Sequence, residues 1–390
     1  MPTACIIQPD CRVSLKSERI EVFGFNEQTQ RDEVLRQIPL RDLERLVVAE
    51  SVQVTSQALA ALLRAEIPVS VLGWNGQFLG GFLPAGNAHG RARLQQYRRT
   101  QEADFALRIA GRIVTAKLYN QRRVLQRLGA SRADVAPAST PASTPASSGG
   151  IPAARHESGQ GPGCRQAGAP ENPQTGTPAP PTEGENPKSE LQSTLKWMDA
   201  LFAPVSVSRT VDELRGYEGA STARYFQAWA GFLPAEFPFE RRSTRPPLNP
   251  VNACISFGST LLYHEAVAFL HSHGLDPALG TLHSTEDGRW SLALDLMEPF
   301  RPVLVEALSL DLFSHEILKG EHFEPKNGGV YLNNDGRKKF FLQYERRMER
   351  QFMSECAGHR TTLRQQLENQ SVMFKAALDD LARFEPFLIN

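Results

Sequence analysis

Four residues in the second half of the sequence have side chains suited to acid–base or metal-ion chemistry. Glu218 lies in the segment LRGYEGASTARYF and His283 in GTLHSTEDGRW, whereas Asp295 and Glu298 share the segment SLALDLMEPFRP. Carboxylates and imidazoles are the common general acids and bases of enzymes and common ligands of divalent cations. The three segments are separate in the sequence, so any site that they form together requires several elements to position it.

The segment from Leu292 to Leu310 is apolar almost all round, which is typical of a central core helix. Its polar residues Asp295, Glu298 and Arg301 recur at i, i+3 and i+6 and form one narrow stripe. Buried carboxylates are unfavourable unless a positive charge compensates them. A divalent cation would do so, since carboxylate oxygens suit Mg²⁺ and Mn²⁺ and an imidazole suits Mn²⁺. A salt bridge with Arg301 is the alternative.

Glu218 and His283 carry weaker signals when each is taken alone. Gly216 and Gly219 flank Glu218, and such small residues permit the close approach of another element or of a ligand. His283 lies on a turn just before the next helix. A lone helical glutamate is usually solvated, however, and a lone histidine is usually a structural residue. Spacing alone therefore leaves both alternatives open.

Residues 1–84 have the pattern of a small β-rich unit. KSERIEVFG and LERLVV alternate as strands do, and TSQALAALLRAEI predicts a helix with Thr55 or Ser56 as its N-cap. PVSVLG and QFLGGFLP flank Asn75-Gly76, a strong hairpin signal. Several short strands with one helix predict a small sandwich or half-barrel.

Helical patterns dominate the rest of the chain. Within 91–130, Phe105, Ile109, Ile113 and Leu118 approximate a helical period. Further helices are predicted at 210–230, 250–272, 291–318 and 338–382, with a kink at Pro299 and Pro302 and a hairpin whose turn is Asn334 and Asp335-Gly336.

Residues 135–187 differ abruptly from both flanks. The stretch contains the repeat ASTPASTPASS and almost no large apolar residue. It cannot bury enough surface to offset the entropy lost on ordering, so it is predicted to be a disordered tether.

The formal net charge of zero hides one dense basic segment. Residues 91–132 hold eleven basic residues against Glu102 and Asp104. A neutral protein with such a segment suggests local contact with a polyanion, although a solvated helical face is the alternative. The five cysteines form no C-x-x-C pair, which favours a reducing cytosol, and the start of the sequence shows no signal peptide. The apolar stretch 251–270 is predicted to be a buried helix rather than a membrane span.

The segments that carry chemistry belong to a larger recognisable set. The chain resembles the family of the first-numbered CRISPR-associated protein, the adaptation integrase that is also described as an endonuclease. The resemblance follows the family's order over roughly 300 of the 390 residues and omits the proline-rich insert. It is carried by TSQALAALLRAEIPVSVLGWNGQFLGGFLP, AKLYNQ, GYEGASTARYF, RPPLNPVNACISFGSTLL, LHSTEDGRWSLALDLMEPFRP and GGVYLNNDGRKKFFLQYERRM.

The resemblance implies an α+β protein: a small N-terminal β-sandwich-like domain, used for dimerisation, followed by a larger all-helical catalytic domain. On the sequence these regions correspond to 1–88, to basic helices at 89–134 that belong to the catalytic lobe, to the disordered insert 135–190 and to the catalytic domain 191–390. Asn249 stands where family members commonly have aspartate, which affects the expected start of one helix.

The resemblance also implies a metal site and a function. Glu218, His283 and Glu298 match the family's ligands for Mg²⁺ or Mn²⁺, with Asp295 as a nearby second carboxylate of the catalytic site. The implied enzyme is a metal-dependent DNA endonuclease and integrase that inserts short foreign segments into the repeat array by 3′-hydroxyl attack on a phosphodiester. Its implied partners are duplex, branched, pre-spacer and repeat DNA, a second copy of itself and a small second adaptation protein. We expect a cytoplasmic location and no membrane association.

Seven arginines are predicted to contact DNA phosphates, although pairing with nearby carboxylates is an equal alternative for the last three: Arg98, Arg99, Arg122, Arg123, Arg245, Arg289 and Arg301. Two other functions stay open. One is a related integrase of a mobile element, and the other is a catalytically silent DNA-binding scaffold.

Replacing 135–187 by a shorter Gly/Ser linker tests the prediction about the insert. The midpoint of chemical unfolding is expected to stay nearly unchanged, because a disordered segment contributes no packing. A large drop in stability would show that the insert packs on the folded parts of the protein.

Overall fold

The computed structural model describes residues 3–389 apart from 7, 9, 27–30, 74–77, 85–88, 135–186 and 355–357. The chain folds into a small N-terminal β region and a larger, mostly helical region, which confirms the predicted fold class. The expected disordered insert lies outside the described residues except at its end. There, helix α4 begins at Pro187, earlier than the expected domain start at 191.

The N-terminal region contains, among the described residues, two four-stranded sheets of order β1-β5-β7-β8 and β4-β3-β2-β6. In the first sheet β1, β5 and β7 run parallel and β8 is antiparallel to β7. In the second, β2, β3 and β4 form an antiparallel meander. The strands are β1 (Thr3–Ile6), β2 (Arg12–Lys16), β3 (Arg19–Asn26), β4 (Arg31–Pro39), β5 (Arg45–Ala49), β6 (Gln53–Val54), β7 (Val69–Leu72) and β8 (Phe78–Phe82).

Both sheets contribute to one apolar core, as in a sandwich. Val13 and Ile20 from one sheet and Leu46 from the other are fully buried in the same cluster as Leu62 of helix α1 (Ser56–Arg64). Thr55 caps α1, because its hydroxyl accepts a hydrogen bond from the Ala58 amide at 3.3 Å. The predicted strand pairing of β7 with β8 is confirmed, although the turn at Asn75-Gly76 lies outside the described residues.

The helical region packs around a second, larger core. Helix α3 supplies the predicted stripe, because Phe105, Ile109, Ile113 and Leu118 are all buried. The helices of this region are α2 (Gly90–Thr100), α3 (Ala103–Asp134), α4 (Pro187–Ser206), α5 (Val211–Ala230), α6 (Pro250–Ser272), α7 (Ser291–Met297), α8 (Ala307–Ser314), α9 (Asn334–Glu349) and α10 (Leu363–Ala377).

Two predicted helices were wrong because each is interrupted. The helix expected at 291–318 ends as α7 at Met297, and a π-helical turn at Arg301–Glu306 separates it from α8. Pro299 and Pro302, which lack amide donors, lie at this break. The helix expected at 338–382 is divided into α9 and α10 by a hairpin of β11 (Phe352–Ser354) and β12 (His359–Thr361).

The second expected hairpin has a different turn from the predicted one. Strands β9 (Phe323–Lys326) and β10 (Gly329–Leu332) are joined by Asn327 and Gly328, both of which have positive φ, as a tight hairpin turn requires. Asn334 and Asp335-Gly336 instead form the first turn of α9. The region that follows the β region is therefore mostly helical rather than all-helical.

Helix α6 is long and apolar enough to cross a membrane by composition, but 72% of its most apolar window is buried inside the protein. It forms the centre of the helical core, as predicted for 251–270. Asn249 caps it with its side-chain oxygen, which accepts from the Asn252 amide at 2.8 Å. The departure from the family's aspartate therefore leaves the helix start intact.

A buried ionic cluster joins the two regions. Glu265 of α6 accepts hydrogen bonds from the guanidinium of Arg364 of α10 at 3.1 and 3.3 Å, and lies 3.5 Å from a guanidinium nitrogen of Arg45 of β5. Burial raises the pKa of Glu265, but Arg364 and Arg45 outweigh that effect and hold it below its ordinary value. Glu265 therefore links Arg45 of the β region to Arg364, which also pairs with Glu345 and Glu349 of α9.

Glu265→Gln is expected to lower the free energy of unfolding by about 3–5 kcal/mol, because it leaves the buried Arg45 guanidinium without its ion-pair partner and removes one of three carboxylates around Arg364. Chemical denaturation measures the change. Glu286→Gln, which removes an exposed partner of Arg289, serves as the control and is expected to leave the unfolding midpoint unchanged. Equal stability of the Glu265 variant would mean that the cluster does not hold the regions together.

Candidate active site

The two predicted carboxylate ligands converge on a buried lysine. Lys117 lies in the middle of α3, and its ammonium pairs with Glu218 of α5 and with Glu298 directly after α7. The distance from Lys117 Nζ to Glu298 Oε2 is 2.5 Å. The side chains of Lys117 and Glu298 are 1% and 4% exposed, whereas that of Glu218 is 24% exposed. The site is therefore closed on the side of Glu298 and open on the side of Glu218.

The charges around Glu298 keep it ionised. Burial raises the pKa of Glu298, but the Lys117 ammonium and the Arg301 guanidinium outweigh burial and hold this pKa well below its ordinary value. Arg301 Nη1 donates to Glu298 Oε1 at 3.1 Å. For Lys117, burial lowers the pKa, and Glu298 and Glu218 together raise it above its ordinary value. The cluster therefore holds ionised groups of both signs away from water.

The segment AKLYNQ of α3 explains how these carboxylates are held. Gln121 donates to the Thr222 hydroxyl at 3.2 Å, and this hydroxyl donates to Glu218 Oε1 at 3.0 Å. Asn120 donates to the carbonyl of Pro299 at 2.7 Å, at the point where the backbone leaves α7. Lys117, Asn120 and Gln121, which lie within about one and a half turns of α3, thus position both carboxylates.

His283 is oriented by Asp295, which lies fully buried on α7. Asp295 Oδ1 accepts from the backbone amide of His283 at 2.9 Å and lies 2.7 Å from its Nδ1. Its Oδ2 accepts from the amides of Thr281 and Leu282 at 2.5 and 2.9 Å. These contacts assign the proton to Nδ1 and leave Nε2 of the half-buried ring as the atom available to a ligand.

Two local features shape the loop that carries His283. A Cβ atom at Gly280 would lie 2.7 Å from the His283 carbonyl oxygen and 2.7 Å from Ser291 Cβ, so only glycine fits there. Burial lowers the pKa of His283, but the hydrogen bond and charge of Asp295, assisted by Glu298, raise it above its ordinary value. The negative charges of Asp295 and Glu298 therefore stabilise the protonated form of the imidazole.

The predicted site residues thus separate into two groups. Glu218 and Glu298 share one cation, with His283 in the field of Glu298. Asp295 uses both oxygens to hold the His283 loop, and its place in the catalytic site stays a prediction. Lys117 was missed, although its place at i+4 from the buried Ile113 puts an amine on the apolar stripe of α3.

A divalent cation fits this donor set in its chemistry. Glu298 Oε2 is a buried oxygen that contacts the Lys117 ammonium, and this ammonium occupies the position of a cation shared by both carboxylates. No group of three or more His, Cys, Asp or Glu side chains has metal-binding geometry within the part of the chain that the structure describes.

The arginines predicted to contact DNA are placed unevenly. Arg98 and Arg245 are exposed, and Arg123 is partly exposed. Arg99 pairs with Glu102 and lies 4.7 Å from the ring centroid of Phe105.

The other predicted DNA contacts are engaged in ion pairs. Arg122 pairs with Asp199 and Arg289 with Glu286 at the surface. Arg301 faces Glu298 and Glu306 inside the protein with a side chain only 19% exposed, so its visible role is to compensate carboxylates. Its contact with phosphate stays a prediction, as do those of the other arginines.

Comparison with known proteins assigns the chain to a family. The sequence model of the CRISPR associated protein Cas1 family matches residues 4–147 and 181–346. The chain belongs to the Cas1 family.

Curated relatives of this Cas1 family member agree with that assignment. It is 29% identical to a "CRISPR-associated endonuclease Cas1 3" of Thermus thermophilus over 92% of this chain and 90% of the relative. It is also 29% identical to a "CRISPR-associated exonuclease Cas4/endonuclease Cas1 fusion" of Geobacter sulfurreducens, over 85% of this chain and 51% of the relative. The chain thus spans about half of that fusion.

Solved structures share the fold at lower identity. A Cas1 protein from Thermotoga maritima has a TM-score of 0.67 at 21% identity, covering 99% of this chain and 100% of that one. A casposase bound to integration product has a TM-score of 0.72 at 18% identity, covering 97% and 90%. A Cas6-RT-Cas1–Cas2 complex has a TM-score of 0.69 at 22% identity, covering 99% and 36%.

Asp295→Asn tests the positioning role of Asp295. The pKa of His283 is expected to fall, because the negative charge that raises it is lost. Histidine-selective NMR titration measures this pKa, with His283→Gln to assign the resonance. The resonance of the buried His322, whose ring contacts Lys319 and Lys339 rather than this cluster, serves as the internal control. An unchanged His283 pKa in a folded Asp295 variant would contradict the assignment.

Proposed function

We propose that this chain is a metal-dependent DNA endonuclease and integrase of CRISPR adaptation, which inserts short foreign DNA segments into the repeat array. The observation that carries the proposal is the convergence of Glu218 and Glu298 on one shared cation position next to the oriented His283. A binding scaffold would have no need for ionised carboxylates in a desolvated cluster, since they destabilise the fold unless compensated.

The proposed ligands of Mg²⁺ or Mn²⁺ are Glu218, Glu298 and Nε2 of His283. When bound, the cation would polarise a phosphodiester oxygen and stabilise charge on the departing 3′ oxygen. In integration the incoming 3′-hydroxyl oxygen forms a bond to phosphorus while the target's P–O3′ bond breaks, and in cleavage water takes the place of the hydroxyl. Asp295 would keep the imidazole oriented throughout, and Arg301 would keep Glu298 ionised.

DNA would approach along the open face of α5. Added Cβ atoms at Gly216 and Gly219 would meet nothing within 4 Å, so no described part of the chain covers the helix beside Glu218. A helix face that carries two glycines and is covered by no other described element, next to the partly exposed carboxylate of Glu218, leaves room for a phosphodiester backbone. The exposed Arg98 and Arg245 and the basic face of α2 and α3 would hold flanking phosphates without reading sequence.

The proposed partners follow from the Cas1 family and from the complexes that proteins of similar fold form. Structures of similar fold include a Cas6-RT-Cas1–Cas2 complex and a casposase bound to integration product. We infer a small second adaptation protein, a homodimer formed through the β region, and duplex, branched, pre-spacer and repeat DNA as partners. A cytoplasmic location and the absence of membrane association remain part of the proposal.

A related integrase of a mobile element is the second candidate. The observation in its favour is the casposase fold, which covers 97% of this chain. The two functions use the same phosphoryl transfer and differ in the DNA that is inserted. Strand-transfer assays with a CRISPR repeat and with a transposon end as targets separate them, because each enzyme should prefer its own target.

Alanine at Glu218, His283 or Glu298 is expected to reduce metal-dependent cleavage and strand transfer by more than the roughly 10–100-fold that loss of an outer partner costs. Each variant should keep much of its DNA affinity, since phosphate contacts lie elsewhere. Combined variants should lose little more than single ones.

The matched control is Asp212→Ala, which removes an 85% exposed carboxylate from the same helix as Glu218 and should stay active. Labelled oligonucleotides in Mn²⁺ and in chelator measure both reactions. Full activity of the Glu218 variant would contradict the site altogether, and full activity of the Glu298 variant alone would remove that residue from the ligand set.

A further inference from the structure

Lys117 already provides the positive charge that Glu218 and Glu298 share. Its ammonium pairs with both carboxylates from the middle of a long helix, with a side chain that is 1% exposed. The backbone of α3 is fixed here on both sides, since Arg112 donates to the carbonyls of Leu381 and Phe384 and Asn120 donates to Pro299. Only rotation of the lysine side chain can move this charge.

We propose that Lys117 is a resident cation that competes with the divalent metal for Glu218 and Glu298 and, once displaced, becomes a ligand for a DNA phosphate. The inference rests on the proposed metal site and assigns a regulator to it. Metal binding and phosphate binding would then support each other. The free protein would bind metal weakly, and the loaded site would form fully only with DNA in place.

The competition follows from charge and space. An ammonium and a divalent cation repel one another strongly at contact distances in a site shielded from water. Both cannot occupy the space between the same two carboxylates, so metal entry must push the ammonium away. A displaced ammonium that remained buried without a counter-ion would be strongly unfavourable.

The nearby buried carboxylate Glu306 already faces Arg301, so the side of the cluster on which a displaced ammonium can meet an incoming anion is that of Glu218. Glu298 and Arg301 close the inner side of the cluster, whereas Glu218 is the half-open member and its helix is uncovered at Gly216 and Gly219. A phosphate arriving on that face is an anion within reach of a four-carbon side chain. Lysine forms such a contact as a compact point charge with three donors.

The alternative is that Lys117 is only a structural counter-ion that stays in place when metal binds. The two roles differ in one measurable property. A structural counter-ion helps to keep the ligands assembled, so its loss should weaken metal binding or leave it unchanged. A competitor holds metal affinity down, so its loss should raise it.

The experiment measures Mn²⁺ affinity of the full chain by calorimetry and by electron paramagnetic resonance, with and without a short duplex. Lys117→Gln keeps hydrogen-bonding capacity and removes the charge, and Lys117→Met removes both. We expect both variants to bind Mn²⁺ at least tenfold more tightly than the wild type without DNA. The gain in affinity that DNA produces should be correspondingly smaller in the variants than in the wild type.

Arg108→Met is the matched control, because it removes an exposed cation of the same helix whose ion pair, among the residues that the structure describes, is with Asp104 at the surface. Its Mn²⁺ affinity should equal that of the wild type. If Lys117→Met folds only in the presence of Mn²⁺, the result supports the proposal, since metal then replaces the missing charge. Lys117→Gln provides the measurement in that case.

Equal or weaker Mn²⁺ binding by folded Lys117→Gln would overturn the inference while leaving the metal site intact. Failure of the proposed function has a different signature. In that case the wild type would bind no Mn²⁺, or Glu218→Ala would bind it as well as the wild type does.

Discussion

A buried carboxylate and a half-buried one that meet at one point, Glu298 and Glu218, are the constraint on which the helical half of this molecule depends. Isolated ionised carboxylates are strongly disfavoured away from water, so the fold must bring cations to them. Lys117 on α3 and Arg301 in the π-helical turn meet this need from opposite sides of Glu298. The apolar helices α3 and α7 therefore carry polar residues where they face one another, and their packing is tied to the charges that they share.

The same constraint extends inward from the site. Arg301 also lies 3.9 Å from Glu306, and burial raises the pKa of Glu306 above its ordinary value despite the opposing charge of Arg301. Arg242 reaches this region from the loop before α6, where burial lowers its pKa to about 10. The helix is interrupted at Pro299 and Pro302, and in this irregular segment the Arg301 side chain lies between the carboxylates of Glu298 and Glu306.

Capping residues and apolar periodicity in the sequence correctly predicted the helices whose bounds depend on neighbouring residues. Thr55 caps α1, and the bounds of α5 and α6 lie within one residue of the prediction, because capping and periodicity are short-range properties. The first break, at 298–306, coincides with the predicted kink at Pro299 and Pro302, although its extent was not predicted, and the second, at 350–362, was missed. In the first, the Asn120 contact with the Pro299 carbonyl supports the irregular backbone across a long sequence separation. The sequence around residue 299 contains no pattern that predicts the contact with Asn120.

In the candidate site, too, the sequence predicted features that depend on neighbouring residues but not the contacts between distant segments. The apolar surroundings of Asp295 and Glu298 marked the site from the sequence, and the alternative salt bridge between Glu298 and Arg301 is also present. The two acids nevertheless have different roles, because Asp295 lies under the turn at Thr281–His283 while Glu298 faces α3. Helical spacing places residues on one face but does not reveal which neighbour each meets. Lys117 was missed for that reason: in the sequence it is one basic residue among eleven in the segment 91–132, and although its spacing from Ile113 places it on the apolar stripe, only the fold shows that it meets Glu218 and Glu298.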